Sequence, residues 1–207
     1  KQRADGLADE PKVLTLGAYG DDMDFYTLKG TVEELLDALR VKDVEYVPVK
    51  DNPSYHPGRC AAVYAGGRYL GVFGQVHPLV ARNYGVSDEL YAAELDFPAI
   101  FECRTTEVYY TPLPRFPAVM RDISVVCDDA LTAGELAKCI RKAGGEYLES
   151  VEVFDVYKGA NIPEGKKSIS FSLALRAEDQ TLTDTHADEA VAGILSALEE
   201  QYGVKLR

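Results

Sequence analysis

Between Ser168 and Leu175 the chain alternates: Ile169, Phe171, Leu173 and Leu175 are apolar, while Ser168, Ser170 and Ser172 fill the gaps. Successive side chains of a strand point to opposite faces, so this spacing predicts a strand that buries one face and shows a row of small hydroxyls on the other. The segments around it have equally readable periods. RDISVVC upstream predicts a strand, and LTAGELAKCIRKAGG a helix capped by Thr132, with Glu135 three residues later and Gly144-Gly145 ending it. YLESVEVFDVYKG predicts a second strand, and NIPEG a turn into the serine-bearing third. In TDTHADEAVAGILSALEEQYG, Thr183 or Asp184 can cap a helix whose apolar stripe is Ala187, Val191, Ile194, Leu195 and Leu198, and a short strand, VKL, follows Gly203. The order β-α-β-β-α-β predicts a ferredoxin-like α+β unit, a four-stranded antiparallel sheet with two helices on one face.

Strict alternation then assigns the faces. Ile123, Val125 and Cys127 turn to the helices, as do Phe154 and Val156; Asp122, Ser124, Val126, Val153, Asp155 and Tyr157 turn away with the serines. The face left open would be shallow and polar, with one aromatic plane. Small side chains admit a flat ligand, Tyr157 can stack on it, and Asp155 can accept from its N–H groups, which suits an unstacked nucleobase. A solvated sheet face with no ligand carries the same residue types, so alternation alone leaves both readings open.

Upstream, three prolines within YYTPLPRFP predict an extended connector, placing a boundary between residues 1–112 and 113–207. TVEELLDAL reads as a helix capped by Thr31, with Glu34 three residues on. His56 and Arg59 of HPGRCA could polarise an anion, but a His-Pro-Gly turn into a strand explains them better, and His77 before Pro78 marks a helix start. Gly66, Gly67, Gly71 and Gly74 suit a hairpin and close strand packing; GGRYLGVFG lacks the helix that a dinucleotide loop needs. Neither half offers a Ser/His/Asp or Cys/His order that would make a nucleophile, so no catalytic residue is expected.

Composition narrows the classes. No apolar run approaches the 18 or more residues of a membrane helix, and a cytoplasmic protein is expected. The four cysteines are widely separated, with no C-x-x-C pair, which predicts free thiols and no metal site. Net charge is −12: residues 1–112 carry 11 Lys+Arg against 18 Asp+Glu, and residues 113–207 carry 11 against 16. Neither half has the diffuse basic charge of a non-specific nucleic-acid binder, so RNA recognition would rest on local geometry. The chain opens on KQRADGLADE without an initiator methionine, and is expected to be part of a longer one.

FPAVMRDISVV, VEVFDVYKG, PEGKKSISFSLALR, QTLTD and GVKLR follow the order and spacing of the ferredoxin-fold anticodon-binding domain at the end of bacterial phenylalanyl-tRNA synthetase β subunits, which residues 113–207 thus resemble. MDFYTLKGTVEELLDAL, SYHPGRCAAVYAGGRYLGVFGQVHP and YAAELDF, within residues 23–97, resemble the end of the class II synthetase-like, antiparallel α+β module that precedes it. A tryptophan usual before the DFYTLKG block is missing here. The resemblance implies an α2β2 heterotetramer whose α subunit attaches phenylalanine to tRNA-Phe using ATP and magnesium. It implies a β fragment without catalytic residues, cofactor or metal of its own, and neither DNA nor a membrane as partner. By motif it implies anticodon contacts at Ser124, Asp155, Tyr157 and Ser168. Arg121, Lys158, Lys166 and Lys167, at the strand edges, are candidates for phosphate contacts. Two other classes are compatible with a ferredoxin-like unit: a small-molecule sensor with a pocket at the helix edge, and a purely structural assembly module.

Overall fold

A computed structural model of the chain describes Gly6, Ala8 and residues 10–110 and 112–207. It divides into two compact units, residues 1–109 and 110–207.

The first unit is built on a five-stranded antiparallel sheet in the order β1-β5-β4-β3-β2, from β1 (Val13–Tyr19), β2 (Val44–Pro48), β3 (Tyr55–Ala65), β4 (Arg68–Val76) and β5 (Leu90–Asp96). Helix α1 (Phe25–Ala38) buries Leu28, Val32 and Leu36 in a core that also holds Phe73, Tyr91, Ala93, Leu95 and Ile100. That triplet follows the spacing of one helix face. α1 starts six residues before Thr31: Asp24 is its N-cap and accepts from Thr27 N at 2.7 Å, while the Thr31 hydroxyl donates to Thr27 O within the helix. The expected cap at Thr31 is therefore corrected, because the FYTLKG turn packs Phe25 onto Phe73, and burial there favours the longer helix. α2 (Pro78–Asn83) has His77 as N-cap, its Nδ1 accepting from Leu79 N. α3 (Phe97–Cys103) is capped by Asp96, which accepts from Ala99 N. Gly66 and Gly67 turn the β3–β4 hairpin with φ of 54° and 81°, the left-handed pair that a two-residue hairpin requires.

The second unit contains β6 (Val119–Asp128), α4 (Ala133–Ala143), β7 (Leu148–Tyr157), β8 (Lys166–Leu175), α5 (Asp184–Tyr202) and β9 (Lys205–Leu206). The sheet runs β7-β8-β6-β9, fully antiparallel, the ferredoxin-like order. α4 opens with a complete capping box: Glu135 N donates to the Thr132 hydroxyl, and Thr132 N donates to Glu135 Oε2. α5 has Thr183 as N-cap and ends on Gly203 at φ 63°. Ile123, Val125, Cys127, Ile169, Phe171 and Leu173 from the sheet meet Leu136, Ile140, Ile194 and Leu198 from the helices in one buried cluster. Both helices therefore cover the same face of the sheet.

β7 departs from simple alternation. Val151 and Val153 lie opposite Leu173 and Phe171, but the next pairs are Asp155–Ser170, Val156–Ile169 and Tyr157–Ser168, so Phe154 is an extra residue. Cross-strand partners share a face, so Val153 belongs to the helix side rather than the open side. Phe154 is not a core residue either; it is 58% exposed at the bulge of an outer strand.

Candidate nucleic-acid interface

The bulge at Phe154 sets the chemistry of the open face. Continuing from Val153 in phase, Asp155 and Tyr157 would fall on the helix side; one inserted residue turns both outward. Two rows then cross the sheet. In one, Tyr157, Ser168, Val126 and Lys205 stand opposite one another in turn from β7 to β9. In the next, Asp155, Ser170 and Ser124 do the same, and Arg207 continues the row through its backbone N–H to Ser124 O at 2.9 Å. Glu152, Ser172 and Asp122 form a third row. Ser124, Asp155, Tyr157 and Ser168 therefore share one side of one sheet, opposite the helices.

Their states differ. The Ser124 and Ser170 hydroxyls are 2.8 Å apart and hydrogen-bond one another. Ser168 is 1% exposed although no helix lies over it, and its hydroxyl has no hydrogen-bond partner. Asp155 is exposed, with no ion pair or hydrogen bond among the described residues. Tyr157 keeps 38% of its surface open and has the Arg207 guanidinium 5.1 Å from its ring centroid. Arg207 was missed by sequence reasoning. Its only available signal was its parity with Lys205 on the terminal strand, too short a strand to carry an alternation argument.

The four expected phosphate contacts are all engaged elsewhere. Arg121 lies opposite Leu173 on the helix side, with Nη2 2.7 Å from Asp184 and Nε 3.0 Å from Asp188 of α5. Lys167, opposite the buried Cys127, donates to Asp129 O at 2.9 Å. Lys158 pairs with Asp129 and holds its carboxyl below the usual range. Lys166, on the parity of Ser168, is 2.7 Å from Asp128. In this structure Arg121 and Lys167 face away from the serine row. Their parity in the sequence agrees, since Arg121 alternates with Asp122 and Lys167 with Ser168.

Elsewhere the polar groups are consumed structurally. His56 Nδ1 accepts from Gly58 N at 3.1 Å; Arg59 reaches Gln75 at 2.9 Å and Glu89 at 3.0 Å, and the Tyr91 hydroxyl donates to Glu89 at 2.5 Å. A cavity of about 470 Å³ in the first unit is lined by Tyr55, Tyr69, Asn52 and Glu94 among others, and burial pushes the Tyr55 phenol up to about 12. At the helix edge of the second unit, the hollow between Val125, Leu195, Val204 and Leu206 is only about 180 Å³, below the roughly 300 Å³ at which small-molecule pockets begin. Among the described residues no group of three His, Cys, Asp or Glu side chains could hold a metal ion, and no helix is long and apolar enough to cross a membrane.

Residues 114–207 match the ferredoxin-fold anticodon binding domain, and residues 1–97 match the phenylalanyl tRNA synthetase beta chain CLM domain. The chain thus pairs a synthetase-type α+β module with an anticodon-binding fold. The phenylalanine–tRNA ligase beta subunit of Clostridium acetobutylicum is 40% identical over 201 residues, covering 97% of this chain and 25% of that protein. Those of Moorella thermoacetica and Bacillus subtilis are 44% and 42% identical over 186 residues, covering 90% and 89% of this chain and 23% of each relative. The chain belongs to the phenylalanine–tRNA ligase beta-subunit family and corresponds to its C-terminal region. It spans about a quarter of the length of the curated relatives it matches.

Proposed function

We propose that the open face of the second unit holds a base of the tRNA-Phe anticodon, the guanine, so that the α subunit of an α2β2 phenylalanine–tRNA ligase can aminoacylate the distant acceptor end. One observation carries this reading. Ser124, Asp155, Tyr157 and Ser168 stand in two adjacent rows on the one sheet face that no helix covers. Tyr157 offers a stacking plane, contributing on the order of 1–3 kcal/mol per base. Asp155 accepts from base N–H groups, and the Ser124 and Ser168 hydroxyls complete the edge contacts. A wrong base leaves one of these groups unpaired, at about 1–3 kcal/mol per lost buried hydrogen bond. Selectivity then comes from unmet partners more than from added attraction.

The chain's own part is recognition; ATP and magnesium act in the α subunit, and the setting is the cytoplasm. Lys158 and Lys166 border the face and would meet phosphates only by exchanging a carboxylate for one, which makes their net contribution small. The first unit serves subunit assembly. The edge hollow is too small to favour a small-molecule sensor.

The test is kinetic, in the full enzyme. Tyr157→Ala and Asp155→Asn should each raise KM for tRNA-Phe about tenfold while leaving phenylalanine activation by ATP–pyrophosphate exchange unchanged. Unaltered KM would remove the base from this face, and loss of activation as well would assign the face to assembly.

A further inference from the structure

We propose that Arg207 is the second jaw of the base site, so that the base is held between its guanidinium and the Tyr157 ring. The inference rests on the reading above and adds a residue to it.

The geometry comes from the strand order. Tyr157 stands on β7 and Arg207 follows β9, the two outer strands, separated by β8 and β6. Strands lie about 4.8 Å apart, so the two backbones are roughly 14 Å apart across the sheet. A guanidinium 5.1 Å from the Tyr157 centroid must therefore extend over the middle strands of the open face. The side chains at the two edges of the face reach toward each other over the small residues between them. That small size now has a reason: a bulky residue at 124, 168 or 170 would fill the gap.

Three further observations agree. Among the described residues neither Arg207 nor Lys205 pairs with a carboxylate, whereas Arg121, Lys158 and Lys166 each do. Arg207 is thus free to leave the ring at no cost in ion pairs. The Ser168 hydroxyl, in the row that carries Tyr157, is buried without a partner and would gain one from a base edge. One end of the ring also lies close against Gly159, where a built Cβ would overlap the Tyr157 hydroxyl and Cζ. The arginine, which no carboxylate among the described residues holds, is the moving jaw. A base in contact with both needs about 3.5 Å on each side, roughly 7 Å in all. The guanidinium must withdraw by about 2 Å from its present 5.1 Å, within the reach of a rotamer change. A planar guanidinium stacks on a base; an ammonium does not.

The experiment titrates the 207-residue chain with an anticodon stem-loop of tRNA-Phe, comparing wild type, Arg207→Ala, Arg207→Lys and Tyr157→Ala. Arg207→Ala should weaken binding about tenfold. Arg207→Lys, which keeps the charge, should remain weaker than wild type by at least about threefold. Wild-type affinity in Arg207→Lys would reduce the residue to a phosphate contact, and tighter binding by Arg207→Ala would make it a competitor for the ring; either result overturns the jaw. If Tyr157→Ala weakens binding and Arg207→Ala does not, the jaw fails and the base site stands. If wild type does not bind, or binds no better than Tyr157→Ala, the base site itself fails and the jaw with it.

Discussion

Both units are antiparallel sheets with helices packed against them, yet their polar groups are treated in opposite ways. In the first, Arg59 is shared between Gln75 and Glu89, Tyr91 donates to Glu89, and His56 and His77 each accept a backbone N–H. In the second, a buried Ser168 hydroxyl has no partner, an exposed Asp155 has none, and an arginine rests on a tyrosine ring. Buried polar groups in a folded chain are normally satisfied, and one that is not calls for a reason, such as an ordered water or a bound partner. The contrast separates scaffold from site more sharply than residue type does, since histidines and arginines look more functional than serines.

The largest effect should come from removing both groups that the bulge turns outward. Asp155→Ala combined with Tyr157→Ala removes the acceptor and the stacking plane together, so stem-loop binding should fall by about a hundredfold or more while circular dichroism keeps the sheet. Retained binding would show that these two residues do not read the base. A paired comparison sharpens the difference between the units. Gln75, 5% exposed, accepts from Arg59, so Gln75→Ala should lower stability to urea by about 1–3 kcal/mol. Ser168→Ala removes an unmet hydroxyl and should instead raise stability by up to about 1 kcal/mol while weakening RNA binding. The same sign for both would erase the distinction.

The smallest effect lies on the helix side of the second unit, which should behave like the first. Thr132→Ala breaks the capping box and should cost about 1 kcal/mol at neutral pH. Bonds from the Thr132 hydroxyl and backbone hold the Glu135 carboxyl below its usual range. A lowered folded pKa means that this contribution is present above the ordinary carboxyl pKa and is lost as pH falls through the folded value. The gap between wild type and Thr132→Ala in urea melts should therefore narrow below about pH 4. A gap constant with pH would assign the cap to packing alone.

The element order of the second unit was fully legible, because apolar residues at strand and helix spacing and a complete Thr132–Glu135 signature left one arrangement. The facing of β8 was legible, since its cross-strand partners alternate with period two, but the expected exposure of its serine row was not borne out: Ser168 and Ser170 are buried. The facing of β7 was not legible. Strict alternation placed Asp155 and Tyr157 correctly but misplaced Val153 and Phe154, because a bulge shifts phase without a sequence signal of its own. The partners of the cations were not legible for a different reason. Lys158, Lys166 and Arg121 meet carboxylates at 128, 129, 184 and 188 that are distant in sequence, and only the folded chain brings them together. In the first unit β1, from Val13 to Tyr19, was not foreseen; as an outer strand it is exposed at every second residue and carries little apolar pattern.

The most direct test of the open face is to map where RNA touches the chain. Backbone amide shifts of the 15N-labelled protein, followed as the tRNA-Phe anticodon stem-loop is added, should move at Ser124, at Asp155 and Tyr157 and from Ser168 to Ser172, while those of α4 and α5 stay still. Movement confined to the two helices or to the first unit would contradict the account.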